Sequence, residues 1–111
     1  MRPILIQENQ FDEEVLHAEE LTIAYFEVPW QHFHRRFMTP ILEVIAERYV
    51  WEIKIVRLDM GECPRVVQEY GVNNIPTLLY FVGGKIIDRQ EGPVSMQSLD
   101  TQIQRILSVT A

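Results

Sequence analysis

The sequence predicts an α/β chain, on three observations. Apolar periodicity alternates between strand-like and helix-like stretches along the length. Leu21 to Val28 is apolar at nearly every position, the pattern of a central strand covered on both faces. Thr77 to Val82 and Lys85 to Glu91 flank Gly83-Gly84, a strong hairpin signal.

Each element has its own warrant. Pro3 to Ile6 reads as a short strand, and Asn9 caps a helix with Asp12, Glu13 and Glu14 in its first turns, where carboxylates favour the positive end of the dipole. Phe11 and Val15 are its predicted buried stripe. From about Phe33 to Tyr49, Phe37, Met38, Ile41, Leu42, Val44 and Ile45 recur at three-to-four spacing, predicting a helix kinked at Pro40. Glu52 to Leu58 is another strand, with Trp51 packing at its entrance. Pro64 suits the first turn of a short helix ending at Tyr70, with Gly71 as its left-handed cap. Ser95 caps a final helix with Met96, Leu99, Ile103, Ile106 and Leu107 inward. The predicted order is βαβαβαββα.

The chain has 111 residues, 47% of them apolar, enough for one independent core, so residues 1–111 are expected to form a single domain. Ten Lys and Arg against 16 Asp and Glu leave a net charge of −6, which disfavours attraction to nucleic acid or anionic lipid. Neither is expected as a partner. A single cysteine excludes an internal disulfide, and Pro3 to Ile6 falls far short of a signal peptide's apolar region. No apolar run approaches the ~20 residues that span a bilayer. The expected compartment is the cytoplasm.

Five motifs stand in a fixed order: Thr39-Pro40-Ile41-Leu42, Glu69-Tyr70-Gly71-Val72, Ile75-Pro76-Thr77-Leu78, Gly83-Gly84 and Gly92. With the element order, they make the whole chain resemble the thioredoxin family. The resemblance implies a thioredoxin fold, three α/β/α layers around a mixed central sheet, with Pro76 in a cis bond facing the site. It also implies that Trp30, Ile75, Pro76, Gly92 and Pro93 line a shallow groove in which a partner polypeptide lies extended.

The departures are as specific. Counting back from Thr39-Pro40 puts His32 and Arg35 on the family's two cysteine positions. Thiol–disulfide exchange needs an attacking thiolate and a second thiol to resolve the mixed disulfide, and these residues supply neither. The family's buried carboxylate falls at Phe26 or Tyr25 and is read as missing, and Arg57 stands where the family carries a lysine.

Cys63, just before Pro64, is the remaining route to redox chemistry. A helix N-cap lowers a thiol's pKa, whereas neighbouring Glu62 and Asp59 raise it. It reads as a surface thiol that, if reactive, forms a mixed disulfide or an intermolecular dimer. His32 and His34 need a further ligand for a zinc site, and His17 and Cys63 are predicted remote, so neither metal nor cofactor is expected. His32, His34, Arg35 and Arg36 form a local basic cluster at the start of the long helix, with Arg35 and Arg36 positioned for a carboxylate or acidic peptide.

The functional expectation is therefore a thioredoxin-like protein without dithiol oxidoreductase activity, not an enzyme, that binds another protein or an extended peptide as a chaperone-like or assembly module. Two alternatives stand beside it: a thioredoxin-type redox protein working as a monothiol through Cys63, and a structural subunit of a larger complex or homodimer.

Overall fold

Strand β2, Leu21–Glu27, is buried at every residue and organises the rest. Its alternate side chains enter two different cores, as the period of a strand requires. Leu21, Ile23 and Tyr25 join one apolar cluster, Ala24 and Phe26 the other. The structure, a computed structural model, describes residues 2–110; Met1 and Ala111 lie outside the described residues.

Beside β2 lie β3, Ile53–Asp59, in parallel and β4, Thr77–Val82, antiparallel. Beyond them β1, Ile4–Leu5, and β5, Lys85–Glu91, form the edges, giving a mixed sheet in the order β1-β3-β2-β4-β5. Helices α1, His32–Arg48, and α3, Met96–Thr110, cover one face, with Met38, Leu42 and Ile45 meeting Leu99, Ile103 and Ile106. Helix α2, Pro64–Glu69, and the segment around Phe11 and Val15 cover the other. The three-layer α/β/α architecture with a mixed sheet is thus realised. None of the described helices is long and apolar enough to cross a membrane.

Local signals explain most boundaries. Ser95 Oγ accepts from the Ser98 N–H at 3.0 Å and caps α3. Gly71 takes the left-handed conformation after α2 at φ 60°, and the Val72 N–H closes onto the Val67 carbonyl at 2.9 Å. Pro40 lies within α1, where it cannot donate to the Arg36 carbonyl.

Three expectations need correction. The first predicted helix is instead a 3-10 turn, Glu8–Gln10, running into a single π turn, Asp12–Leu16, closed by the His17 N–H on the Asp12 carbonyl at 2.9 Å. Gln10 Oε1 receives the Gln7 N–H at 2.7 Å, so the cap is made by a Gln pair rather than Asn9. The wide turn keeps both Phe11 and Val15 buried, with Phe11 edge-on to Phe81. Of the residues whose three-to-four spacing predicts α1 as one apolar set, Phe37 and Val44 are exposed because they lie on the opposite side of the helix from Met38, Leu42 and Ile45. Trp51 does not pack: it is 80% exposed and occupies a left-handed turn at φ 75°.

Gly84 ties the hairpin to the π turn. At φ 80°, a Cβ there would meet the Leu16 carbonyl oxygen at 2.7 Å, whereas one at Gly83, φ 58°, meets nothing within 4 Å. Gly83→Ala should therefore cost only the left-handed strain of about 1–2 kcal/mol. Gly84→Ala should cost clearly more, because a backbone atom must move. Urea denaturation compares the two, and equal losses would contradict the contact with Leu16.

Candidate functional site

Three chain segments converge where β2 ends: the loop into α1, the turn after β3, and the Ile75–Pro76 turn before β4. Tyr25, Glu27 and Arg57 project from the face of the sheet that α1 covers, since Tyr25 and Arg57 are register partners and Glu27 lies two residues beyond Tyr25. Glu27 is only 5% exposed. Its Oε2 lies 3.5 Å from Arg57 Nη2 and 3.9 Å from Arg35 Nε, which approaches from the first turn of α1.

These are ion-pair distances rather than hydrogen bonds. Glu27 Oε1, Arg57 Nε and the Tyr25 hydroxyl are all buried without a protein partner among the described residues. The Tyr25 phenol is pushed above its ordinary range, first by burial and then by the Glu27 charge. A buried carboxylate is thus present at Glu27, next to the positions Phe26 and Tyr25 where the resemblance puts the family's carboxylate and where this chain has none. The signal was an acidic residue closing an otherwise apolar strand.

His32 begins α1 without a side-chain cap from Gln31. His32, Arg35, Arg36, Thr39 and Pro40 line an open depression of about 700 Å³. Arg35 is half committed inward to Glu27, while Arg36 is exposed. His32 and His34 leave the helix on different sides, as residues two apart must, so they do not converge on one ion. No group of three or more His, Cys, Asp or Glu is gathered for a metal among the described residues.

The predicted groove residues are disposed unevenly. Trp30 is 67% exposed in the loop before α1. Ile75 is half-buried, Pro76 buried, Gly92 half-buried and Pro93 exposed. The Ile75–Pro76 peptide is cis. The Pro76 carbonyl accepts from the Gly92 N–H at 2.8 Å, and Thr77 Oγ1 donates to the Asn74 carbonyl at 2.5 Å, which fixes the turn to the end of β5.

Cys63 is where the reading of a surface thiol fails. It is the N-cap of α2, but its side chain is wholly buried among Phe11, Val66 and their neighbours. Burial pushes the thiol up to about 11, and the nearby Glu8, Asp59 and Glu62 carboxylates push in the same direction. Glu8 Oε2 accepts the Val66 N–H at 3.0 Å, so an acidic side chain already holds the start of α2. The closed thiol is protonated at neutral pH.

The element order, the three layers and the site at the end of β2 define a thioredoxin-fold protein, and the comparisons place it within a family. The thioredoxin family model matches residues 2–105, and the chain belongs to the thioredoxin family. It is 31% identical over 102 residues to thioredoxin 1 of Nostoc sp., covering 92% of this chain and 94% of that protein. It is 30% identical over 102 residues to the thioredoxin of Synechocystis sp., with the same coverage, 92% and 94%. Against the thioredoxin of Griffithsia pacifica the identity is 31% over 103 residues, covering 93% and 94%.

These matches correct the expectation of a binding module without redox activity. The relatives, similar along nearly the whole chain, are named thioredoxins, which favours a thioredoxin-type redox role.

The buried ion cluster makes its own prediction. Removing one member of a buried pair leaves the other uncompensated, at about 3–5 kcal/mol when fully buried and less where water reaches Arg57. Glu27→Leu and Arg57→Leu should each destabilise by roughly 2–4 kcal/mol, and the double variant by less than their sum. Arg35→Ala, at the longer distance and greater exposure, should cost under about 1 kcal/mol. Denaturant titration of the four variants gives the ordering, and a loss at Arg35 matching that at Arg57 would refute it.

Proposed function

We propose that this chain is a thioredoxin-type redox protein that works with one sulfur, exchanging Cys63 into the disulfide of a protein partner. The observation that carries the reading is the similarity to thioredoxins over more than nine-tenths of the chain, joined to a sequence with one cysteine. Cys63 follows β3 by a single 3-10 turn, Met60–Glu62, at the end of the sheet where β2 gives way to Trp30, because Glu27 and Asp59 are register partners. The partner's backbone would be received along Trp30, Ile75, Pro76, Gly92 and Pro93, a mode that uses main-chain hydrogen bonds and an apolar rim.

The chemistry is a single exchange. The Cys63 thiolate attacks one sulfur of a partner disulfide, a new S–S bond forms, the old one breaks, and the departing thiolate takes up the proton that Cys63 released. A second thiol, from the partner or a small thiol such as glutathione, then displaces Cys63 and restores it. Because the sulfur is buried, attack follows local opening of the Met60–Glu62 turn, held by the Gly61 N–H on Asp59 Oδ1 at 2.9 Å, and of the Glu8 contact with α2.

This makes the reaction slow and alkaline. With a thiol at about 11, roughly one molecule in 10⁴ is ionised at pH 7 in the closed state. Incubation with glutathione disulfide, followed by mass spectrometry, should give one slow adduct, absent in Cys63→Ser, with a rate rising toward tenfold per pH unit. A native protein that stays unmodified for hours at pH 9, while its urea-unfolded form reacts, would sink the proposal.

The same pKa sets a stability window. A thiol raised in the folded state, from an ordinary value of 9.0 to about 11, stabilises fully below pH 9 and loses that contribution as pH rises through 11. Wild type should therefore lose stability relative to Cys63→Ala across that interval, measured by urea denaturation at each pH.

A further inference from the structure

Helix α1 is apolar on two opposite faces. At 100° per residue, Met38, Leu42, Ile45 and Tyr49 point to one side and are buried, while Phe33, Phe37, Pro40 and Val44 line up at spacings of four, three and four on the other. Phe33 is 73% exposed, Phe37 42% and Val44 41%. Trp30, in the loop just before the helix, is exposed as well. A contiguous exposed apolar stripe rimmed by charge marks an interaction surface.

The charges beside the stripe indicate the occupant. Arg36 and Glu43, seven residues apart, flank it on the same side, and Glu47 lies beyond them. When two copies of one helix meet antiparallel about a two-fold axis, that flank faces the same flank of the partner. An axis crossing α1 near Thr39 sets Arg36 against the partner's Glu43, and by symmetry Glu43 against the partner's Arg36. The same axis interleaves Phe33 and Phe37 with the partner's Val44 and Pro40. A parallel alignment would instead set this flank against the partner's other flank, where Ile41 and Arg48 lie, and leave Arg36 and Glu43 without each other.

We propose that the outer face of α1 is a self-association surface, forming a two-fold antiparallel pair with α1 of a second copy of this chain. The pair places the basic start of the helix on its acidic end, although each copy carries a net charge of −6. Arg2, 3.6 Å from Glu43 Oε2 in the single chain, is almost fully exposed and exchanges readily for the partner's Arg36. One helix pair buries less than the ~1,200 Å² at the lower end of standard interfaces, so the dimer is weak and concentration-dependent.

Sedimentation from micromolar to millimolar concentration should show the mass rising from 13.1 kDa toward twice that value. Phe37→Glu should hold the protein monomeric with an unchanged far-UV circular dichroism spectrum. Arg36→Glu and Glu43→Arg should each weaken association roughly tenfold, since two ion pairs become two repulsions. Mixing these two single variants in equal amounts should restore it, because one flank is then wholly acidic and the other wholly basic. A monomer at every concentration would overturn the proposal and leave the stripe to a different partner. So would a dimer indifferent to Phe37→Glu, or a mixture that fails to recover.

Discussion

The structure depends on the burial of β2 on both faces and along both edges. A strand in that position has no solvent-facing side, so its register with β3 and β4 is fixed by packing above and below. Fully burying side chains such as Ile23 or Phe26 contributes about 1.5–3 kcal/mol each. The cost of that arrangement falls at the strand's end. Glu27 is the one acidic residue drawn into the buried run, and among the described residues it is held only by the guanidinium groups of Arg57 and Arg35. The site is therefore built around a compromise: β2 positions the loop into α1, and the first turn of α1 returns a cation to neutralise the strand's last residue.

The electrostatics of the two functional groups follow from the layer each occupies. On the α1 face, charges of opposite sign meet with three polar atoms left unpartnered, and those atoms carry a penalty of about 1–3 kcal/mol each unless water reaches them. On the α2 face, Cys63 lies among hydrocarbon side chains with the Glu8, Asp59 and Glu62 carboxylates nearby. The helix N-terminus that would favour a thiolate is already occupied by Glu8. The dipole's help is spent on a neighbouring acid, so desolvation decides the outcome and the sulfur is stored as a thiol.

Much of this was legible in the sequence because period and turn chemistry are local. The hairpin glycines, the Ser95 cap, the run through β2 and the ordered motifs led to the strand order and to the family. What was not legible depended on which side of an element the chain turns inward. Phe37 and Val44 keep helical spacing as well as Met38 and Leu42 do, and only the position of the sheet chooses between the two stripes. Cys63 looks exposed from its acidic neighbours, yet the π turn brings Phe11 over it, and no single-sequence pattern encodes an i to i+5 turn. Glu27 was overlooked because a carboxylate was sought one or two residues earlier. Trp51 was read as packing from its place at a strand entrance, whereas it is 80% exposed in a left-handed turn.

Helix α1 shows why one element can carry several roles without conflict. Its inner face fills the core against α3, its first two turns deliver His32 and Arg35 to the end of β2, and its outer face keeps four apolar side chains in line. Pro40 links these demands. It lacks an N–H, so the Arg36 carbonyl loses its helical partner in the middle of the element. It stands between the turn whose Arg35 approaches Glu27 and the turns whose Leu42 and Ile45 pack with α3, and it is itself exposed on the outer stripe. An alanine at this position would restore the hydrogen bond to the Arg36 carbonyl and improve the helix's propensity, but it would also remove apolar surface from the stripe. The proline is thus better explained by what it adds to the outer face of α1 than by the stability of the helix.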